Sequence, residues 1–120
     1  MKRVLSIQDI SCVGRCSLTV ALPIISAAGV ETGIIPTAVL STHTMFSKFT
    51  FHDLTGEIQK ISDTLLELAI DFDAVYTGYL GSFEQLSIVS DLFDRHKSIN
   101  CGSKTGTHHP GRCITGTVFR

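Results

Sequence analysis

The sequence predicts an α/β domain with a mainly parallel sheet, on three observations. Short apolar runs recur at residues 3 to 8, 31 to 40 and 74 to 80. Between and after them lie segments with helical periodicity. The resulting order is strand, helix, strand, insert, helix, strand, helix.

"RVLSIQ" at residues 3 to 8 alternates and is apolar enough for a first strand. The loop "DISCVGR" follows, then an apolar segment from Ser17 to Ala28 that ends at Gly29, a suitable residue just past a helix end. Pro23 removes a backbone donor inside that segment, which predicts a kink or a late start. "ETGIIPTAVL" reads as the second strand, with pairing expected to end or bend at Pro36. "STHTMFSKFTFHDL" suits a loop and then a short exposed strand.

From Leu54 to Ile70 the pattern is helical, with Ile58, Ile61, Leu65, Leu68 and Ala69 on one face. "AVYTGYL", residues 74 to 80, is the third buried strand. Ser82 and Gln85 have the spacing of a capping box, in which each side chain satisfies the other's backbone donor. Phe83, Leu86, Val89, Leu92 and Phe93 are the expected inner face of that last helix.

Hydrophobic residues make up 43% of the 120 and charged residues 18%, which supplies a core and excludes a disordered chain. A net charge of −1 offers no field for nucleic acid or an anionic membrane. "LTVALPIISAAGV" is too short to span a bilayer, and "MKR" leads into a strand rather than a signal peptide. A cytoplasmic protein is expected, with Cys12, Cys16, Cys101 and Cys113 as reduced thiols.

"NCGSKTGTHHPGRC", residues 100 to 113, carries residue types that suggest chemistry. As a phosphate loop it fails, because Ser98 and Ser103 occupy the two glycine positions before Lys104 and no strand leads in. As a zinc site, Cys101, His108, His109 and Cys113 lack a Cys-x-x-Cys pair and place two histidines side by side. Residues 98–120 therefore read as a divergent tail after an α/β segment at 1–97.

Open α/β sheets bind ligands beyond the carboxyl ends of their strands. That rule selects the loops Gln8 to Cys16, Leu40 to Phe46 and Tyr79 to Ser82, where Asp9, Thr44, Tyr79 and the backbone around Gly81 can converge. On a purely structural reading, Asp9 and Thr44 would only tie loops.

The "SIQ" strand end, the "STHT" turn and "GYLGS", in this order and spacing, resemble the N-terminal part of the pyridoxal (vitamin B6) kinases, in the ribokinase-like superfamily. The resemblance covers roughly residues 2 to 96. It implies a three-layer α-β-α fold that this chain contains only in part. It also implies transfer of the γ-phosphoryl of ATP, with Mg2+, to the 5′-hydroxymethyl group of a B6 vitamer. The ring contacts it implies are Asp9, where many relatives have serine, with Cys16, Leu40, Thr44, Met45 and Tyr79. "KFTFHDL" would be a short lid.

The family's aspartate base and ATP loops belong to its C-terminal half, so no catalytic residue is expected in this chain, which reads as a truncated and inactive portion. A homodimer is implied for the full-length enzyme. From about Ser98 a frameshifted translation is expected, since Asn100 to Lys104 can be back-translated so that another frame reads Ile-Val-Asp-Pro, a family motif. The alternatives are part of a hydroxymethylpyrimidine kinase and a non-catalytic B6-binding module.

Overall fold

The computed structural model describes residues 2–78, 80 and 82–100, the last four by backbone alone. The elements are β1 (Arg3–Ser11), α1 (Leu18–Ala27), β2 (Glu31–Leu40), β3 (Phe51–Asp53), α2 (Thr55–Glu67), β4 (Ala74–Thr77) and α3 (Phe83–Asn100). The phosphate-loop and zinc readings, and the tail beyond Asn100, lie outside the described residues, as do Tyr79 and Gly81. Helix α3 continues through 98–100, three residues past the expected break at Lys97.

The four strands lie in the order β3-β2-β1-β4. β1 pairs in parallel with both β2 and β4, and only the short β3 runs antiparallel, at the edge beside β2. Pro36 bends the ladder as its missing N–H requires: Gln8 pairs with Pro36, but Ile10 pairs with Val39, leaving an extra residue on β2. Beyond this bulge pairing resumes. β1 therefore reaches Ser11, three residues further than its apolar run predicts.

Alternation puts Leu5 and Ile7 on one face of the sheet, with Ile35 and Val75 beside them. That face meets Ile58 of α2 and Val89 and Leu92 of α3, and the two helices also touch each other. The other face carries Ser6 and Gln8, both buried, with Gln8 Nε2 donating to Ser6 Oγ at 3.0 Å. Helix α1 covers this second face, packing on β1 and β2. Pro23 lies inside α1, which begins at Leu18, so the expected late start does not occur.

Both outer helices correct the sequence pattern at their ends. Leu68 is 65% exposed and Ala69 has φ 53°, because α2 ends at Glu67 and the chain turns away before Leu68 can reach the core. In α3, Phe83 is 91% exposed and Leu86 42% exposed. The buried stripe is instead Gln85, Val89, Leu92 and His96, spaced as one helical face and polar at both ends. Apolar residues at the start of α3 drew the expected face one step round the helix.

His96 is 3% exposed, meets Phe72 edge-on at 5.7 Å, and has no partner for Nε2 among the described residues. Burial lowers its pKa from 6.5, and Asp71 opposes the shift only partly. The folded state therefore resists protonation that the unfolded chain accepts. This stability contribution is complete above pH 6.5 and is lost as the pH falls through that value. We expect the melting temperature to fall between about pH 7.5 and about pH 5.5, and His96→Leu to flatten that slope. Thermal melts at fixed ionic strength measure both, and an unchanged slope in the variant contradicts this role for His96.

Candidate substrate site

At the carboxyl ends of β1 and β2, where an open parallel sheet binds its ligands, lies a cavity of about 540 Å³. β1 supplies Asp9 and Ser11, and β2 supplies Thr37, Ala38 and Leu40. The Ser11–Leu40 pairing fixes the two strand ends against each other, and Cys12 N–H donates to Leu40 O at 2.9 Å.

The loop before α1 brings Cys16 and Ser17 to the wall. Thr19 holds this loop: its Oγ1 accepts from Cys16 N–H at 3.2 Å and lies 2.7 Å from Cys16 O, to which it donates. Ser17 stands at φ 53° just ahead of the helix, a strained position for a residue with a side chain. Gly14, at φ 108°, lets this loop pack on the turn after β2, for a Cβ there would lie 2.4 Å from the His43 ring.

That turn is built around His43. Its N–H donates to Val13 O at 3.1 Å, its Nδ1 accepts from Met45 N–H at 3.0 Å, and its ring packs on Phe46. His43 and Thr44 both face the cavity. Met45, expected beside the ring of a ligand, is 86% exposed and is not on the wall. Its backbone closes the turn on His43, and its side chain is left outside.

The far wall is polar. Asp53 accepts from Thr55 N–H at 2.9 Å and from Thr55 Oγ1 at 2.5 Å, and these bonds, the side-chain one first, hold its pKa below the usual carboxylate value. Buried Gln85 extends Nε2 to Thr55 Oγ1 at 3.0 Å and to Thr37 O and Asp53 Oδ1 at 3.3 Å. One side chain of α3 thus ties β2, β3 and α2 together. The Gln85 N–H donates to Ser82 Oγ at 3.2 Å, which is the serine half of the expected capping box.

Asp9, Cys16, Leu40 and Thr44 therefore share one cavity. Ser11, His43, Asp53 and Gln85 line the same cavity; Ser11 and His43 fall within the selected loops without being singled out there, and the sequence reading does not select Asp53 or Gln85. Ser11 follows from the two-residue strand period once β1 is extended, and Gln85 from the helical stripe ending at His96. Asp53 carries no such signal, because its place depends on how β3 folds back beside β2.

The sheet and its helices match those of ribokinase-like kinase structures. No family model matches the chain. It is 31% identical over 128 residues to the pyridoxal kinase PdxY of Actinobacillus pleuropneumoniae serotype 5b (strain L20), covering 98% of this chain and 44% of that protein. The crystal structure of a putative phosphomethylpyrimidine kinase from Bacteroides thetaiotaomicron, in a form with pyridoxal, matches with TM-score 0.79 and 40% identity. That match covers 95% of this chain and 36% of the other. Pyridoxal kinase of Lactobacillus plantarum matches with TM-score 0.76 and 27% identity, over 79% of this chain and 34% of that one. The chain is a pyridoxal kinase homologue that spans less than half the length of these relatives.

Proposed function

We propose that this chain is the vitamer-binding part of a B6 kinase, a cytoplasmic enzyme that phosphorylates the 5′-hydroxymethyl group of pyridoxal, pyridoxine or pyridoxamine. The observation that carries the reading is the convergence of Asp9, Cys16, Leu40 and Thr44 on one strand-end cavity. Leu40 and Phe51 offer apolar contact for a ring, and Asp9 and Thr44 offer polar contacts at its rim. An ionised Asp9 only accepts hydrogen bonds, so it takes a donor: a protonated ring nitrogen, the amine of pyridoxamine, or a phenolic O–H. Tyr79, which the resemblance places against the ring, completes the proposed set.

Among the described residues no group of three or more His, Cys, Asp or Glu is placed to hold a metal. No step through ATP or Mg2+ is assigned to these residues. Structures of this fold include the pyridoxal kinase of Leishmania donovani in complex with ADP. In the full-length enzyme, nucleotide, metal and base would be held by residues corresponding to the relatives' C-terminal part. The proposed assembly of that enzyme is a homodimer. No helix among the described residues is long and apolar enough to cross a membrane.

The second reading is part of a hydroxymethylpyrimidine kinase, favoured by the 40% identity to a Bacteroides thetaiotaomicron protein described as a phosphomethylpyrimidine kinase. The pyridoxal in one crystal form of that protein favours B6. Calorimetric titration of the chain with pyridoxal, pyridoxine, pyridoxamine and hydroxymethylpyrimidine separates the two. We expect saturable vitamer binding, with the pyrimidine at least about tenfold weaker, which is about 1.4 kcal/mol, and no turnover of ATP by the chain alone. Tighter binding of the pyrimidine than of every vitamer would reverse the assignment.

A further inference from the structure

We infer that Ser11 is a ligand-contacting residue of this cavity and that its hydroxyl donates to the phenolic oxygen of the B6 ring, a role that rests on the vitamer reading above. Five side-chain polar atoms among the described residues are buried without a hydrogen-bond partner: Arg3 Nε, Ser11 Oγ, Thr32 Oγ1, Ser62 Oγ and His96 Nε2. Of these residues only Ser11 lines the strand-end cavity. A buried hydroxyl without a partner costs folding free energy, so an empty-handed donor on a cavity wall marks where a ligand atom restores the bond.

The geometry narrows what that atom is. Ser11 is 1% exposed and sits two residues after Asp9, so the strand period puts both side chains on one face of β1. Backbone pairing of Ser11 with Leu40 holds it rigidly. Asp9 can only accept when ionised, whereas the Ser11 hydroxyl can donate. The strand end therefore offers an acceptor and a donor side by side on a rigid frame. A pyridine ring with a protonated nitrogen and an ionised oxygen one carbon away presents the complementary pair. Ser11 then recognises the phenolate, and Asp9 is left for the cationic group.

Binding of pyridoxine and of 3-deoxypyridoxine to the wild-type chain and to Ser11→Ala, with ligand-free melts of both proteins, tests this assignment. We expect Ser11→Ala to weaken pyridoxine about tenfold, close to 1.4 kcal/mol, and to leave 3-deoxypyridoxine unchanged. The wild type should bind 3-deoxypyridoxine about tenfold more weakly than pyridoxine, a comparison that needs no variant. The ligand-free melting temperature of Ser11→Ala should equal or exceed the wild type's, since the variant loses an unsatisfied group. Equal wild-type affinity for the two ligands overturns the inference while leaving the vitamer reading intact. So does equal weakening of both in the variant with a lowered melt, which would mark a structural role. Failure of the wild type to bind any vitamer overturns the reading itself, and the inference with it.

Discussion

Gly14→Ala is expected to lower stability by about 2–4 kcal/mol and to weaken ligand binding together with it. Two effects combine. At φ 108° a side chain strains the backbone, and the new Cβ would sit 2.4 Å from His43 Cδ2. His43 has little freedom to withdraw, since its N–H is bonded to Val13 O and its Nδ1 to Met45 N–H. Moving it would drag the turn that carries Thr44. Gly29→Ala supplies the control: φ is 77° there, but nothing lies within 4 Å of the new Cβ, so only the conformational cost of about 1 kcal/mol remains. Melts of the two variants separate the terms, since a domain this size loses about 4–8 °C per kcal/mol. Equal losses in both would show that the contact between the Gly14 loop and His43 carries no weight.

Ile58→Ala is expected to cost about 2–5 kcal/mol, whereas Leu68→Ala changes stability by less than about 0.5 kcal/mol. Both residues fall on the apolar face that the sequence assigns to this helix. Ile58 is fully buried against the sheet, and Leu68, at 65% exposure, makes no comparable contact. Urea unfolding of the two variants gives both values. A loss at Leu68 as large as at Ile58 would mean that the helix runs further along the sheet than Glu67.

These two residues show how far the sequence carries. The order of elements along the chain, the number of helices and the mainly parallel character of the sheet follow from periodicity and strand–helix alternation. Helix ends do not, because Leu68 and Phe83 keep an apolar pattern beyond the point where the chain turns away from the core. The cavity is legible to the same extent. Asp9 and Thr44 lie in the strand-end loops to which the general rule for α/β sheets directs attention, and Cys16 and Leu40 come from the family resemblance. Ser11 lies in a selected loop, but its place on β1 shows only once pairing resumes past the bulge at Pro36, and Gln85 is missed until its face is seen to point inward. Asp53 depends on β3 pairing with β2 across a loop whose path local residues do not specify. Met45 misleads because a turn's neighbours share sequence but not direction.

Titration of an isotope-labelled chain with pyridoxine shows whether a B6 vitamer occupies the strand-end cavity. We expect amide shifts concentrated at Asp9 to Ser17, Leu40 to Thr44 and Gln85. Shifts centred instead on Val20, Ile24, Ala74 and Tyr76, which line a second hollow of about 550 Å³ beneath α1, would contradict it.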